Sequence, residues 1–342
     1  MRRLIDAHLL DLGLCFVALV WGASPTVFKF ALAEVDPLTF VIMRFVLLSL
    51  VAVAVLLVYA RVHPDIHPFR VRRADLPLLI ASGLAGYGIY QLFYIEGLND
   101  TTAFATSLLG STMPLWSVAL LALLRVERIR GLQWVGILVS LAGVVWFLLA
   151  HPASGEQSVG HPLTPSGIIL GDILLCIGAG LFAIYGIVNK RLTIRYSPPE
   201  LMCYTLLIGT LALAPFGVVS FAHQDWSKVT WALWVILPYS VVFPIYLTYS
   251  IWNWAIGKRG VGYVTLYSYA VPVLGGITAI IALREHLSIW QALASAVVLG
   301  GMLLARWAIM RRRAPTIART LAPGGEPAEV SGEQRAAHEV AD

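Results

Sequence analysis

The chain has 342 residues, 58% of them hydrophobic and only 13% charged, where an average soluble domain has about 45–50% and 25%. A mean hydropathy of +0.79 leaves too few polar side chains to clothe a water-facing surface, which excludes an ordinary soluble protein. The net charge of +5 would suit a nucleic-acid partner, but the places of the charges, given below, argue against one.

From the N-terminus, Met1-Arg2-Arg3 leads into an apolar run longer than the roughly 7–15 residues of a signal-peptide core, and a second apolar block follows directly. The run therefore reads as an uncleaved first helix. Ten apolar blocks follow in chain order, at 12–33, 38–60, 76–98, 102–124, 131–150, 168–189, 201–221, 231–256, 261–283 and 288–305. Nearly all can cross a bilayer core at about 1.5 Å per residue. The expected fold is all-α and polytopic. It has a short N-terminus at 1–11, a five-helix unit at 12–150, a Pro/Gly/Ser-rich loop at 151–167, a second five-helix unit at 168–307 and a polar tail at 308–342 that reads as disordered. Cys15, Cys176 and Cys203 all lie in apolar stretches, so neither a disulfide framework nor a metal cluster is expected.

Lysine and arginine set the orientation. With the N-terminus cytoplasmic, twenty of the 24 fall inside: Arg2 and Arg3, the groups at 61–73, 125–130, 190–195 and 258–259, and six from Arg306 onward. Only Lys228 and Arg284 fall outside, and Lys29 and Arg44 lie within spans. A missed or invented helix would scramble this separation. Ten crossings of the cytoplasmic membrane, both termini inside, are expected, and the basic balance needs no DNA or RNA.

The two halves echo each other. A shift of 161 residues lays Asp11 on Asp172, Cys15 on Cys176, Lys29 on Lys190 and Pro37 on Pro198. A shift of 158 lays Pro114 on Pro272, Glu127 on Glu285, Gln133 on Gln291 and Gly143 on Gly301. The matches are collinear. Each unit holds an odd number of helices, so the second enters the membrane upside down, as in many secondary transporters.

These residues resemble a known family. Trp21-Gly22 before Lys29, Pro37-Leu38-Thr39-Phe40, Arg44, Ala103, Ala105, Pro114 and Glu127 before Gln133, Gly136 and Gly143 are similar to an EamA-type unit of the drug/metabolite transporter superfamily. Gly262, Pro272, Glu285, Gln291 and Gly301 repeat the later part in the second half. The resemblance implies ten helices, cytoplasmic termini and export or exchange of small metabolites, often amino acids. The chain departs from it where Phe182 replaces the second tryptophan and no arginine stands opposite Arg44.

Charges inside spans are costly and mark candidate function. Lys29 and Arg44 lie about 10 and 8 Å outward of their helix centres, and Glu96 reaches a similar depth. They form a candidate outer gate or coupling group, with snorkelling as the alternative for Lys29. Asp11 and Asp172 are read as first-turn carboxylates facing the positive helix end. Glu127 and Glu285 are read as caps before the fifth and tenth helices. Pro114 and Pro272, central in the fourth and ninth helices, and Pro244, opposite Gly86, are candidate hinges. Gly136/Ser140 and Ala292/Ala296/Gly300 read as packing faces.

Polar and aromatic side chains at mid-depth form the candidate solute site: Trp21, Ser24, Tyr87, Tyr90, Gln91, Ser111, Thr112, Tyr246, Tyr249, Ser250, Tyr267 and Ser268. Aromatic belts belong at the interfaces, so tyrosines this deep point either to interhelical hydrogen bonds or to a cavity for an amphipathic solute. A membrane enzyme fits poorly. No histidine lies in a span interior, no HExxH is present, and Trp252 and Arg259 stand where a P-loop ending at Lys258 needs glycine and Ser/Thr. The expected activity is secondary transport without cofactor or metal, its partners a small solute and the lipid bilayer, as monomer or homodimer. A membrane-embedded enzyme or a receptor of the same ten-helix architecture stays open as the alternative. Single cysteines test the topology: Glu156→Cys should label from outside the cell and Gly325→Cys only after permeabilisation. Labelling of position 325 in intact cells would overturn it.

Overall fold

The structure, a computed structural model, describes residues 2–125, 131–150 and 162–320. They form ten principal helices: α1 (Arg2–Leu32), α2 (Pro37–Val62), α3 (Arg73–Asp100), α4 (Ala103–Leu123), α5 (Gly131–Leu149), α6 (Pro165–Leu192), α7 (Pro198–His223), α8 (Trp231–Gly260), α9 (Tyr267–Leu283) and α10 (Ile289–Thr320). Among the described residues nine helices are long and apolar enough to span a bilayer, and α9 is a shorter apolar helix. The chain is a multi-pass integral membrane protein. Gly260 takes a φ of 78° and kinks the chain; a helical turn resumes after it to Val264, as expected from 261, and after a break at Thr265–Leu266 the ninth helix proper runs Tyr267–Leu283. The tenth runs to Thr320, past the expected end at 305. The 151–167 loop lies outside the described residues up to 161, as does Glu127.

Side chains set several helix starts by accepting from the free N–H groups of the first turn. Asp36 accepts from Leu38 N at 3.0 Å ahead of Pro37, and Thr102 from Ala105 N at 3.0 Å. Thr164 accepts from Gly167 N at 3.1 Å, and Ser197 with Glu200 forms a capping box. Three readings of the sequence are corrected here. Asp11 is not in a first turn, since α1 begins at Arg2; its carboxylate accepts from the Tyr263 and Tyr267 hydroxyls at 2.6 and 3.0 Å. Asp172 sits about two turns beyond the start of α6, which Thr164 caps, and accepts from the Thr101 hydroxyl at 2.6 Å. Glu285 does not cap the tenth helix. It reaches across to the first turn of α4 and accepts from Ala103 N at 2.7 Å and Phe104 N at 3.1 Å. Ser288 and Gln291 cap α10 instead, exchanging bonds of 3.0 and 3.1 Å.

Three helices are irregular at mid-length and a fourth, α9, at its ends. In α3 and α8 the turns Leu84–Gly88 and Val242–Leu247 widen into π-bulges, the first around Gly86 and the second around Pro244. Proline has no N–H to give the preceding turn, and widening accommodates the lost bond. α4 breaks at Thr112, two residues before Pro114, and the Ser111 and Thr112 hydroxyls bond the carbonyls of Leu108 and Leu109, each at 2.6 Å. α9 opens with a tight turn at Tyr267–Tyr269 just ahead of Pro272.

The principal packed pairs are α5 with α10, α2 with α7, α4 with α9, α3 with α6, α1 with α8, α4 with α6, α1 with α9, α3 with α7 and α2 with α8. This set is unchanged when every helix is exchanged for the one five places along the chain. Small residues let the backbones approach. Gly136 meets Ala305, Gly301 meets Ser140, and a Cβ on Gly143 would stand 2.8 Å from Val298 N. The packing face of α10 therefore runs through Ala294, Val298, Gly301 and Ala305, whereas Ala296 and Gly300 are exposed, correcting the stripe read from the sequence. Helical phase decides this: a four-residue ladder fits either face, and only the partner helix selects one. Gly143→Val should destabilise the protein by about 1–3 kcal/mol through overpacking. Gly300→Ala, which meets nothing within 4 Å, should leave thermal melting in detergent unchanged or raise it.

Candidate functional site

An aromatic cluster occupies the middle of the bundle, contributed by α1, α2, α3, α6 and α8. Tyr87 lies within the α3 bulge and Tyr90 just after it. The Tyr87 hydroxyl lies 3.2 Å from that of Tyr185 on α6, with the rings edge to face at 5.3 Å. Tyr87 is also within electrostatic reach of Tyr246 and Tyr249 on α8. Tyr90 packs on Phe182 of α6 at 5.1 Å and on Tyr94 at 5.8 Å, and it too is within reach of Tyr249. Glycine makes this approach possible, because a Cβ on Gly86 would strike the Tyr185 ring.

Trp21 pins α1 to the second bulge. Its indole N–H donates to the Pro244 carbonyl at 3.0 Å and to the Thr248 hydroxyl at 2.9 Å, while its ring packs on Tyr249 and Trp252 at 5.6 and 5.0 Å. Thr248 donates to the same carbonyl at 2.8 Å. The polar end of Trp21 is thus engaged with the protein, and what the indole offers a solute is its face. Ser24 donates to Val20 O at 2.6 Å and is buried.

Arg44 and Gln91 differ from their neighbours. Arg44 is 7% exposed, and its guanidinium lies over the Phe28 ring at 4.8 Å and near Phe45 at 6.0 Å. Tyr94 and Tyr90 are within its electrostatic reach. Its Nε is sealed and without a hydrogen-bond partner among the described residues, as is Nε2 of Gln91, itself 4% exposed. A buried donor left unpaired costs about 1–3 kcal/mol, so each such atom calls for an acceptor.

The other charges do something different. Lys29 is 1% exposed, which rules out snorkelling, and donates to the Asn99 carbonyl at 3.0 Å. It is also within electrostatic reach of Glu285. Burial pushes the Glu285 carboxyl up from its ordinary value, and the two α4 N–H groups and Lys29 pull it part of the way back. Glu96 is half-buried near Asp36 and Asp100.

Several sequence candidates stand apart from the cluster. The Ser111 and Thr112 hydroxyls are spent on the α4 break, and Ser250 is exposed and bonded to Tyr246 O at 2.6 Å. Tyr267 is held by Asp11, and Ser268 donates to Thr265 O at 2.7 Å, both at the start of α9. Tyr94, Phe182, Tyr185 and Trp252 belong to the cluster without having been singled out as site residues. A three- or four-residue spacing was the available signal: Tyr94 follows Tyr90 by four, and Tyr185 follows Phe182 by three. Among the described residues no group of His, Cys, Asp and Glu is placed to hold a metal.

Replacing Gln91 with Leu removes an unpaired amide from an apolar setting. The Gln91→Leu protein should melt no lower than the native one yet lose most solute transport. Normal transport would move the site away from Gln91.

The EamA-like transporter family matches the sequence twice, over residues 8–149 and 169–307. An "uncharacterized transporter" of Archaeoglobus fulgidus is 27% identical, covering 87% of this chain and 96% of the relative. A "probable amino-acid metabolite efflux pump" of Escherichia coli (strain K12) is 25% identical, over 87% and 95%. A "probable terminal-alkyne amino-acid exporter" of Streptantibioticus cattleyicolor is 26% identical, over 71% and 78%. A solved crystal structure shares the fold at a TM-score of 0.56 and 21% identity, covering 89% of this chain and 98% of its own. With both matches together taking in nearly the whole membrane part, the chain belongs to the EamA-like transporter family.

Proposed function

We propose that this transporter exports amino acids or related small metabolites across the cytoplasmic membrane by alternating access between two inverted five-helix units. The central aromatic cluster carries the reading. Helices of both halves converge there, at two π-bulges that stand in corresponding places of the repeat, Gly86 in α3 and Pro244 in α8. Transporters with inverted repeats bind solute at such irregular midplane helices. The relatives named for amino-acid efflux supply the solute class.

Symmetric packing with a local asymmetry supports the moving part. The principal pairs exchange under the five-helix shift, but α1 also packs on α3 and α4, without a pairing of comparable extent from α6 to α8 or α9. The extra contacts include Lys29 with Asn99 and Ser107 Oγ donating to Gly22 O at 3.1 Å. Lys190, the repeat mate of Lys29, is exposed. With the termini inside, these extra contacts lie on the outer half of the bundle, where they would close it toward the exterior. Two carboxylate latches stand on opposite faces: Asp172 with Thr101 outside, Asp11 with Tyr263 and Tyr267 inside.

Among the described residues no carboxylate lies at mid-depth in a span. A coupling proton needs a group that can reach both sides in turn, so the protein either exchanges solutes without protons or couples through Glu96. Proteoliposomes loaded with labelled L-amino acids, with and without a pH gradient, test both statements. Saturable efflux is expected, and any solute-driven proton flux should vanish in Glu96→Gln. Absence of movement for the whole panel would overturn the solute class, and proton flux surviving Glu96→Gln would shift coupling to Asp11 and Asp172.

A further inference from the structure

We infer that Arg44 and Gln91 form a carboxylate-binding subsite, so that the solutes moved are recognised by an anionic carboxylate end; this rests on the transporter reading above. Both atoms left without partners around the cluster, Nε of Arg44 and Nε2 of Gln91, are donors. The missing chemistry is an acceptor, and beside a guanidinium in a low-dielectric setting it is an anionic one. No described residue forms an ion pair with Arg44. Its flanks are the Phe28 and Phe45 rings, which hold the guanidinium plane in place without neutralising it. A planar fork of N–H groups fixed in this way suits a carboxylate's two oxygens.

The neighbouring residues connect this subsite to the cluster. Tyr87, Gln91 and Tyr94 lie at spacings of four and three on α3 and share a face. Tyr87 packs on Phe45, next to Arg44, at 6.3 Å, and Tyr94 and Tyr90 lie near the guanidinium. A solute held by its carboxylate here would lay its remaining part among the tyrosine rings. The second half has no equivalent. Shifting by 161 residues puts Thr205 at the place of Arg44, and Thr205 is buried with its hydroxyl donating to Leu201 O at 2.7 Å.

The experiment uses the full chain in proteoliposomes. The L-amino acid moved fastest is compared with its carboxamide and with the amine that lacks the carboxylate. Both analogues should be about ten- to a hundredfold poorer substrates, the worth of a charge-assisted bond. Arg44→Gln should raise KM for the acid and bring acid and amide together, and Arg44→Lys should keep a reduced preference for the acid. A second readout does not depend on the variants folding: phenylglyoxal modification of Arg44 in the native protein, followed by mass spectrometry, should be slowed by the amino acid and by butyrate but not by the amide. Equal transport of acid and amide, an intact acid preference in Arg44→Gln, or no protection by any carboxylate would overturn the subsite. Protection by butyrate without movement of any amino acid would uphold the subsite and overturn the proposed solute class.

Discussion

Hydrocarbon offers no hydrogen bonds, so each polar atom carried between the membrane faces has to find its partner within the protein. Much of the architecture follows from meeting that demand at the places where helices are interrupted. Where Pro114 ends the regular run of α4, the hydroxyls of Ser111 and Thr112 turn back onto the carbonyls of their own helix. Where Pro244 widens α8, its carbonyl is taken by Thr248 and by Trp21 from another helix. The same bond that satisfies the bulge therefore fastens α1 to α8. Lys29 obeys the rule in the opposite sense, a buried cation placed on a backbone carbonyl near the end of α3. Three buried side-chain atoms lack a partner among the described residues: Ser140 Oγ in the α5/α10 seam, and Arg44 Nε and Gln91 Nε2 beside the central cluster, which stand out as chemistry reserved for something the chain does not contain.

The membrane character, the helix number and the family were legible in the sequence, because span length, apolar composition and repeat spacing are properties of the chain itself. Gly86 and Pro244 marked the α3 and α8 irregularities for the same reason: glycine and proline declare their backbone effects locally. Side-chain roles were less legible wherever the partner lies on a distant segment. Asp11 and Glu285 both read as ends of their own helices, yet one is held by tyrosines 252 and 256 residues away and the other caps a helix start 182 residues away. Lys29 looked long enough to reach an interface, and only the position of Asn99 shows that it turns inward. Of the deep tyrosines, Tyr87 and Tyr90 join the central cluster, whereas Tyr267 sits at the start of α9, after a break at Thr265–Leu266, with its hydroxyl held by Asp11.

The helix pairs divide into a fixed and an adjustable set. Between α5 and α10 the backbones meet through Gly136, Gly143 and Gly301, leaving no slack for sliding. The α1/α8 pair, and the part of α3/α6 beside the bulge where Tyr87 and Tyr90 meet Tyr185 and Phe182, have more ways to rearrange at small cost, since ring pairs tolerate offset and tilt; toward their other end α3 and α6 meet backbone to backbone at Gly97 and Gly171. This places rigidity at the α5/α10 seam and adjustment around the two bulges. Bistable rearrangement of packed elements, rather than continuous bending, is how such a difference becomes two states.

The occupation of one half by Arg44 and of the corresponding place in the other by Thr205 has a thermodynamic consequence. On the proposed reading, a carrier built from two inverted halves with the charge in only one has unequal sites on its two faces, and the half-saturation concentrations measured from each side can differ widely. Detailed balance nonetheless ties each to its own maximal rate, so that without an external gradient the ratio of the two is equal in both directions. Asymmetry of this kind sets how full the carrier is on either side of the membrane, whereas the sense of net flow is imposed from outside by the solute and ion gradients across it.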